Sequence, residues 1–255
     1  LGALLNVATE DSDLVQNFYP LGGFLRLSGL ARGEISGPHA GVARDANLVM
    51  IQVESLQEFV IGLEVEGQEV TPFLNRWADT GLHFTEITDQ TAQGRSSDAE
   101  LATQVSLLPP ASGAASFRYV DNDFVGLADV LADRGYSTVS AVAYDGGFWN
   151  RRQLHPAFGY AESLFVDAFV PGPVVGWGLN DGDFLRQMRT RIAALPRPFA
   201  AWLITLSLHH PFDGFPERVA ELDVGAWTGT PLGNYLQTMR LLDRSLGARV
   251  TGLDE

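Results

Sequence analysis

A nearly continuous apolar segment reads Asn47-Leu-Val-Met-Ile-Gln-Val53 and contains several β-branched side chains. Such a run is typical of a strand that is buried on both faces of a parallel sheet. Glu54 and Ser55 follow it directly. Since open α/β sheets bind ligands at the carboxyl ends of their strands, Glu54 is either a site residue or simply the start of the next helix. The segment therefore favours an α/β fold.

Strand-like and helical segments alternate along the rest of the chain. The predicted strands are 83–87, 136–144, 162–166 and 199–206, and the predicted helices are 72–79, 96–107, 123–134, 181–194 and 232–250. This alternation indicates an α/β sandwich with a mainly parallel central sheet flanked by helices. Residues 1–46 are interrupted by Gly and Pro, which predicts a linker or juxtamembrane segment with a short helix at 12–19. The main domain is expected over 47–255.

The composition excludes several classes of protein. With 45% hydrophobic and 19% charged residues, the chain is globular rather than disordered. A formal net charge of −14 argues against nucleic-acid binding, although a few local arginines still permit a small anionic substrate. No apolar run reaches the ~18 residues that a transmembrane helix needs. Zero cysteines exclude disulfides, thiolate metal sites and a cysteine nucleophile.

The segment 93–100 concentrates reactive groups where a loop is predicted to become a helix. It reads Gln93-Gly-Arg-Ser-Ser-Asp-Ala-Glu100 and holds two hydroxyls, one cation and two acids. Ser97 and Glu100 have the spacing of a capping box, in which both side chains accept backbone N–H groups. A serine at this helix N-terminus also lies where the helix dipole favours anions and developing negative charge. An ordinary helix cap and a reactive serine both stay open on this segment alone.

Two more loops that follow predicted strands carry candidate binding residues. In the loop 145–152, Arg151 can present a planar fork to a phosphate or carboxylate, and Trp149 can provide a flat apolar wall. The alternative is that these two side chains form an ordinary stack at the surface. After the most apolar predicted strand, His209 or His210 can bind an anion when protonated or ligate a metal when neutral. The alternative for either histidine is a hydrogen-bonded loop residue.

Seven short segments, in this order, resemble the lipoteichoic acid synthase/phosphoglycerol transferase branch of the sulfatase (alkaline phosphatase-like) superfamily. They are Met50-Ile-Gln-Val-Glu-Ser55, Val70-Thr-Pro-Phe-Leu-Asn75, Gln93–Glu100, Phe148-Trp-Asn-Arg151, Gly176-Trp-Gly-Leu179, His209-His-Pro-Phe212 and Gly233-Asn-Tyr235. The resemblance implies an alkaline phosphatase/sulfatase-like sandwich. It also implies that 47–255 is the N-terminal part of the catalytic domain, incomplete at its C-terminus.

The resemblance implies a reaction and a location as well. The chain is expected to transfer phosphoglycerol from an anionic phospholipid such as phosphatidylglycerol, through a serine-linked intermediate, to a glycan or polymer acceptor. The family is held by N-terminal membrane helices, which this sequence lacks. The resemblance therefore implies a location at the extracytoplasmic (periplasmic/outer) face of the bacterial inner membrane. Two alternatives stay open: a sulfatase or phosphodiesterase that passes the group to water, and a non-catalytic binding domain of the same fold.

The family motifs imply roles for individual residues. Glu54 matches a carboxylate metal ligand, and Ser96 matches the hydroxyl nucleophile, which also contacts the metal. The residues expected to hold the phosphoglycerol head are Trp149, Arg151 and His209, and those expected to support the site are Arg95 and Asp145. A serine hydroxyl is a weak nucleophile at its ordinary pKa, and coordination to a divalent cation activates it.

The implied metal is Mn²⁺, with Mg²⁺ and Zn²⁺ as alternatives, because oxygen ligands favour Mn²⁺ or Mg²⁺ and a histidine favours Mn²⁺ or Zn²⁺. The family's other metal ligands form an Asp-His pair downstream of its Gly-Asn-Tyr helix, and no Asp-His pair occurs in this sequence. The family also carries a histidine shortly before its Phe-Trp-Asn-Arg motif, near the position of Ala143. We therefore expect a half-built metal site and little or no turnover from this chain alone.

Overall fold

The structure, a computed structural model, describes residue 41, residues 43–213 and residues 215–250. The predicted short helix at 12–19 and most of the predicted linker lie outside these residues. Within the part of the chain that is described, no helix combines the length and the apolar character needed to cross a membrane.

A four-stranded parallel sheet forms the centre of the domain. The strands among the described residues are β1 (Leu48–Gln52), β2 (Glu64–Val65), β3 (Gln68–Glu69), β4 (Ser137–Val142), β5 (Glu162–Leu164), β6 (Val174–Val175), β7 (Gly178–Leu179) and β8 (Phe199–Ile204). The central sheet has the order β1-β8-β4-β5, and each neighbouring pair is parallel. The pairs β2–β3 and β6–β7 form separate antiparallel hairpins. The prediction of a mainly parallel central sheet is confirmed.

Helices cover both faces of this sheet. They are α1 (Pro72–Thr80), α2 (Ser96–Val105), α3 (Ala115–Arg118), α4 (Leu127–Ala132), α5 (Arg151–Ala157), α6 (Asp181–Ala193) and α7 (Pro231–Val250). Short 3₁₀ turns lie at Glu58–Val60, Phe148–Asn150, Val166–Ala168, Glu217–Val219 and Gly225–Trp227. The first residue of α1 is Pro72, whose fixed φ suits a helix start and whose missing N–H is not needed there.

The apolar side chains of β8 alternate between two hydrophobic clusters, one on each face of the sheet. Ala201 and Leu203 belong to the cluster that packs against α1, α6 and α7. Trp202 and Ile204 belong to the cluster that packs against α2, α4 and α5. Every residue of β8 is buried, because the strand has a neighbour on each side and helices over both faces. This environment explains why the segment is apolar at each position rather than at alternate ones.

The predicted strand at 83–87 is wrong. This stretch forms bends and irregular structure, and the side chains of Leu82, Phe84 and Ile87 are exposed. Its apolar residues satisfy strand propensity, but a strand also requires a hydrogen-bonded neighbour, and no described strand pairs with this stretch.

Two predicted helices are shorter in the structure than the sequence indicates. α2 ends before the predicted residue 107, because Ser106 adopts a left-handed backbone conformation with φ +57°. α4 covers only the middle of the predicted helix 123–134. It begins after Gly126, whose N–H donates to the Asp129 carboxylate at 2.9 Å and thereby closes the first turn.

Candidate active site

Glu54 and Ser96, which are distant in the sequence, are in direct contact beside the carboxyl end of β1. The Ser96 hydroxyl donates a hydrogen bond to Glu54 Oε2 at 2.9 Å. The Ser55 hydroxyl donates to the other carboxylate oxygen, Oε1, at 3.4 Å. The Glu54 N–H donates to Thr205 Oγ1 at 3.2 Å, so the segment after β1 is braced by the segment after β8. The carboxylate–hydroxyl contact therefore depends on two parallel strands that end at the same edge of the sheet.

Ser96 begins α2 directly after a strained turn. Arg95 has φ +46° and ψ −117°, a combination that is unfavourable for a residue with a side chain. The Asp98 carboxylate stabilises this turn, because its Oδ2 accepts the N–H groups of Ala92 at 2.9 Å and Gly94 at 2.8 Å. Any side chain at Gly94 would overlap the same carboxylate. The position of the Ser96 hydroxyl thus depends on Gly94 and Asp98.

The predicted capping box of Ser97 and Glu100 is wrong. The Ser97 hydroxyl donates to the Gly94 carbonyl at 2.8 Å, and the Ser116 hydroxyl donates to Ser97 at 3.1 Å. The Glu100 carboxylate turns instead to Arg151, whose Nε and Nη2 donate to Oε1 at 2.9 Å and 2.6 Å. A buried arginine requires an ionic partner, and this requirement outweighs the local cap.

Arg151 is 1% exposed, so it does not form a surface stack with Trp149. Burial opposes ionisation of Glu100, yet Arg151 and His155 together hold the pKa of Glu100 below its ordinary value. The third guanidinium nitrogen of Arg151, Nη1, is buried and has no hydrogen-bond partner among the described residues. A buried donor without an acceptor is costly, and an anionic ligand would supply one.

Trp149 belongs to an aromatic group at the start of α5. Its ring centroid lies 5.6 Å from that of Phe117 and 5.4 Å from that of Phe148. Trp149 and Asn150 both have left-handed backbone conformations, with φ of +56° and +52°. The Asn150 side-chain amide donates to the Ser116 carbonyl at 2.9 Å and anchors this turn. The half-buried Trp149 ring is therefore held two residues before Arg151 by several contacts.

His209 lies in the loop after β8 and has a fixed ring orientation. Its Nδ1 is 2.7 Å from the His210 carbonyl oxygen, which can only accept a hydrogen bond. Nδ1 therefore carries a proton, and Nε2 remains for a ligand. The ring stacks on Trp177, with centroids 3.7 Å apart and an interplanar angle of 25°. His209 is buried whereas His210 is exposed, so the two neighbours do occupy different environments.

Trp177 contacts His209 although no sequence motif predicts it as a site residue. The two glycines that flank Trp177 in the sequence are the pattern that could have indicated its role. A Cβ at Gly176 would lie 2.6 Å from the Ser207 carbonyl oxygen, and one at Gly178 would lie 2.7 Å from the Ala143 carbonyl oxygen. Only glycine allows the hairpin turn to approach the ends of β8 and β4 so closely. This approach places the Trp177 ring against His209.

Asp181, at the start of α6, is a second residue near the strand ends that the sequence does not predict as part of the site. It is buried, and its carboxylate accepts the N–H groups of Leu206 at 2.9 Å and Ser207 at 3.1 Å. Its own N–H donates to Ser207 Oγ at 3.0 Å. These contacts end β8 earlier than predicted and hold the start of the loop that carries His209. Burial raises the pKa of Asp181 to about 6, and the Glu54 charge contributes in the same direction.

Arg95 and Asp145, which were expected to support the site, act in the structure through the shapes of two loops. The Arg95 side chain is exposed, and its backbone makes the turn before Ser96. Asp145 is also exposed, and its Oδ1 accepts the Gly147 N–H at 2.8 Å. That hydrogen bond closes a turn at the start of the loop that carries Trp149.

The metal-binding capacity of the described residues is partial. Glu54 and Ser96 supply two adjacent oxygen donors, which suit Mg²⁺ or Mn²⁺. Across residues 43–213 and 215–250, no group of three or more His, Asp or Glu side chains is close enough to hold a metal ion. The donor set therefore fits a divalent cation only in part.

Comparisons with known proteins identify similar chains. A model of the sulfatase family matches residues 46–255. Lipoteichoic acid synthase-like YvgJ from Bacillus subtilis is 34% identical over 208 residues, which are 81% of this chain and 34% of that protein. The lipoteichoic acid synthase of Staphylococcus aureus is 33% identical over 220 residues, which are 84% of this chain and 34% of that protein.

A solved structure supports the same relationship. The lipoteichoic acid synthase LtaP from Listeria monocytogenes has a TM-score of 0.79 with this chain at 25% sequence identity. The match covers 84% of this chain and 53% of that one. The chain thus spans about a third of the length of the curated relatives it matches and about half of the solved one. The expected alkaline phosphatase/sulfatase-like fold is confirmed.

Proposed function

The chain belongs to the sulfatase family, and on that basis we propose that it forms part of a phosphoglycerol transferase of the lipoteichoic acid synthase type. The observation that carries the proposal is the 2.9 Å hydrogen bond between the Ser96 hydroxyl and the Glu54 carboxylate at the strand ends. A hydroxyl at a helix N-terminus beside an acid suits nucleophilic attack on a phosphoryl group.

In the proposed reaction, the Ser96 oxygen attacks the phosphorus of an anionic phospholipid head group such as that of phosphatidylglycerol. A bond between this oxygen and phosphorus forms while the bond from phosphorus to the diacylglycerol oxygen breaks. Diacylglycerol takes up a proton and leaves as an alcohol. A hydroxyl of a glycan or polymer acceptor then displaces Ser96, which regains a proton. Glu54 orients the Ser96 hydroxyl because it accepts its hydrogen bond.

We assign binding of the phosphoglycerol head to Arg151, His209 and Trp149. Arg151 supports this role because its Nη1 is buried without a described partner. His209 supports it because its Nε2 is left open by the contact of Nδ1 with the His210 carbonyl. The half-buried Trp149 ring offers an apolar surface to the glycerol carbons.

The sulfatase family generally uses a divalent metal, and we propose Mn²⁺ at Glu54 and Ser96, with Mg²⁺ and Zn²⁺ as alternatives. When bound, such a cation activates a coordinated hydroxyl and neutralises phosphoryl charge. Two donors hold a cation weakly, and we propose that an Asp-His pair, which the resemblance to the family implies, supplies the other ligands in the full-length protein. By itself this chain is expected to bind metal weakly and to transfer little.

The proposed reaction takes place at the extracytoplasmic face of the bacterial inner membrane. The relatives named lipoteichoic acid synthase support this location, because both the lipid donor and the polymer product belong to the cell envelope. We propose that N-terminal membrane helices, which the resemblance to the family implies, attach the full-length protein to the membrane. Nucleic acid is not an expected partner, given the net charge of −14.

The test measures diacylglycerol release by the full-length protein in phosphatidylglycerol vesicles with Mn²⁺. Ser96→Ala should reduce release by at least about 10³-fold, because the hydroxyl that attacks phosphorus is removed. Thr103→Ala is the matched control, since its hydroxyl lies on the same helix and, among the described residues, hydrogen-bonds only with residues of that helix: it donates to the Ala99 carbonyl at 2.8 Å and the Glu100 carbonyl at 3.2 Å, and it accepts from Gln104 Nε2 at 3.4 Å. Release that is equal in Ser96→Ala and wild type would refute the nucleophile assignment.

A non-catalytic binding domain is the second candidate, and the absence of a three-residue metal cluster within the described part of the chain favours it. In that case, the full-length protein would bind glycerol phosphate but would release no diacylglycerol under any metal. A hydrolase that passes the group to water uses the same Ser96. It would release diacylglycerol and free glycerol phosphate without forming polymer.

A further inference from the structure

A chain of buried polar groups connects the central sheet to the helix that carries Ser96. Ser140 on β4 places its Oγ 2.9 Å from His155 Nδ1 and 3.0 Å from the Oγ of Ser163 on β5. His155 on α5 places its Nε2 3.4 Å from Glu100 Oε2 on α2. Ser140, His155 and Glu100 are all fully buried. These contacts join four elements of the fold through side chains alone.

The protonation of this chain follows from the chemistry of its members. Burial, the largest influence, lowers the pKa of His155, so the ring is neutral and carries a single proton. Glu100 is ionised and can only accept a hydrogen bond. The single proton of the ring therefore belongs on Nε2, which leaves Nδ1 as an acceptor that faces the Ser140 hydroxyl at 2.9 Å. Each nitrogen of the imidazole thus has a partner and the tautomer is fixed.

Glu100 divides its two oxygens between this chain and Arg151. Oε1 accepts both Nε and Nη2 of Arg151, and Oε2 faces His155 Nε2. Rotation of the carboxylate would break a contact on one side or the other, so His155 restricts the orientation of the guanidinium. Along α2, Glu100 is four residues beyond Ser96, which corresponds to ~6 Å of helix rise. The guanidinium is therefore anchored one helical turn from the proposed nucleophile.

We propose that Glu100 and His155 are positioning residues, which orient the unpaired Nη1 of Arg151 toward an oxygen of the anionic group that Ser96 attacks. The inference rests on the proposed function of Ser96 and Arg151. Stability alone does not account for this cluster, because a buried ion pair is often no more stabilising than apolar side chains of the same volume. Positioning does account for it, since Glu100 occupies two guanidinium nitrogens and leaves the third without a partner.

The test measures the affinity of the full-length protein for glycerol phosphate by calorimetry in the presence of Mn²⁺. His155→Phe keeps an aromatic ring against Trp202, whose centroid is 4.8 Å from that of His155, but removes the hydrogen bond to Glu100. We expect binding to weaken on the order of tenfold, because the guanidinium loses its fixed orientation. His155→Gln restores an N–H near the position of Nε2, and its affinity should return to within about threefold of wild type.

A matched control separates positioning from general loss of stability. Tyr160→Phe removes a buried hydrogen bond of 2.6 Å to Gln104 Oε1 in the same cluster and does not touch Glu100 or Arg151. Its affinity for glycerol phosphate should equal that of wild type. Equal weakening in Tyr160→Phe and His155→Phe, or none in a folded His155→Phe, would overturn the inference. If His155→Phe does not fold, Ser140→Ala replaces it, with the same direction of effect expected.

A second measurement tests the positioning role of His155 even if the proposed function is wrong. If wild type binds no glycerol phosphate and releases no diacylglycerol, the proposed function fails. NMR relaxation of the Arg151 Nε–H group still reports whether His155 orders the guanidinium. We expect a rigid group in wild type and Tyr160→Phe and a mobile one in His155→Phe. Unchanged order in His155→Phe would overturn the positioning role without any reference to activity.

Discussion

The two faces of the central sheet are packed by different kinds of side chain. On the face covered by α1, α6 and α7, the buried contacts come mainly from apolar residues such as Met188 and Met239. On the face covered by α2, α4 and α5, apolar residues surround the charged side chains of Glu100 and Arg151. The first face also buries two acids, Asp181 and Asp243, whose carboxylates accept backbone N–H groups. The second face encloses a complete ion pair, so two opposite charges are removed from water there.

The side chains buried on the two faces of the sheet suggest a different role for each face. The face that carries the buried charges is also the face whose helix α2 begins with Ser96. A core selected only for stability would fill this space with apolar side chains, because buried ion pairs cost desolvation. We propose that the ion pair on the face of α2, α4 and α5, the polar face, serves the site, and that the apolar contacts on the face of α1, α6 and α7, the apolar face, serve the stability of the domain.

The largest effect is expected where a buried charge loses its partner. Arg151→Met removes the guanidinium partner of the buried Glu100 and leaves only the His155 contact, which should lower the free energy of unfolding by about 3–5 kcal/mol in urea titrations. The double variant Glu100→Leu/Arg151→Met should recover most of this loss but should still fail to bind glycerol phosphate. If the double variant were as unstable as Arg151→Met, the Glu100–Arg151 ion pair would stabilise the fold more than the apolar side chains that replace it.

A comparable loss of stability without loss of binding is expected on the apolar face. Met239→Ala, at a fully buried position of α7, should lower the free energy of unfolding by about 2–5 kcal/mol because a cavity remains. Glycerol phosphate affinity, measured by calorimetry below the unfolding transition, should stay as in wild type. Leu232→Ala in the first turn of the same helix is the control, since this side chain is exposed and should change stability by under about 0.5 kcal/mol.

A pH-dependent effect is expected at Asp181, the buried acid at the start of α6. Its pKa rises from 3.8 to about 6 on folding, so the folded state binds more protons than the unfolded state. The contribution of Asp181 to stability is therefore present below about pH 4 and is lost as the pH rises to about 6. Asp181→Asn does not titrate, and relative to wild type it should gain about 1–3 kcal/mol of stability between pH 4 and pH 7.

Urea titrations at several pH values provide this measurement. Asp167→Asn at the surface corrects for the loss of one negative charge, because Asp167 is exposed and pairs only with Arg152 at 3.2 Å among the contacts described. Parallel pH dependences of wild type and Asp181→Asn would show that this acid titrates alike in the folded and unfolded states. In that case, the burial of Asp181 would not lower the stability of the apolar face.

The smallest effect is expected at Trp177, whose ring stacks on His209 in the loop after β8. Trp177→Leu keeps an apolar side chain but removes the ring that stacks on His209. Glycerol phosphate binding should weaken about two- to tenfold, because the imidazole loses its fixed plane. Trp227→Leu, at an exposed tryptophan in a 3₁₀ turn, should leave the affinity unchanged. Equal affinities for the Trp177 and Trp227 variants would exclude a role for the stack.

Much of the architecture was predictable because its signals are local. The continuous apolar runs of β1 and β8 predict buried strands, and the 3.6-residue periodicity of α6 and α7 predicts amphipathic helices. The strand expected at 83–87 failed because pairing with a neighbour is not a local property. The boundaries of α2 and α4 shifted for a related reason, since single hydrogen bonds and one left-handed residue set them.

The candidate site was predictable only in its residue types. The motifs named Glu54, Ser96 and Arg151, but nothing in their spacing shows that Ser96 donates to Glu54 or that Arg151 is buried on Glu100. Glu100 was interpreted as a helix cap, because capping-box spacing is visible in the sequence and a partner 51 residues away is not. The sequence does not predict Trp177 and Asp181 as site residues, because each acts through contacts with a loop that is distant in the sequence.

By itself, the sequence determined the fold class, the family and the residues with reactive side chains, since hydrophobic periodicity and short motifs are encoded in neighbouring positions. Only the tertiary structure decided which of these residues touch. The parallel strand order β1-β8-β4 brings the segment after β1 beside the segment after β8 and the start of α2. The physical reason is that a buried charge or a hydroxyl obtains its partner from the packing of distant segments, and that packing minimises the free energy of the whole chain.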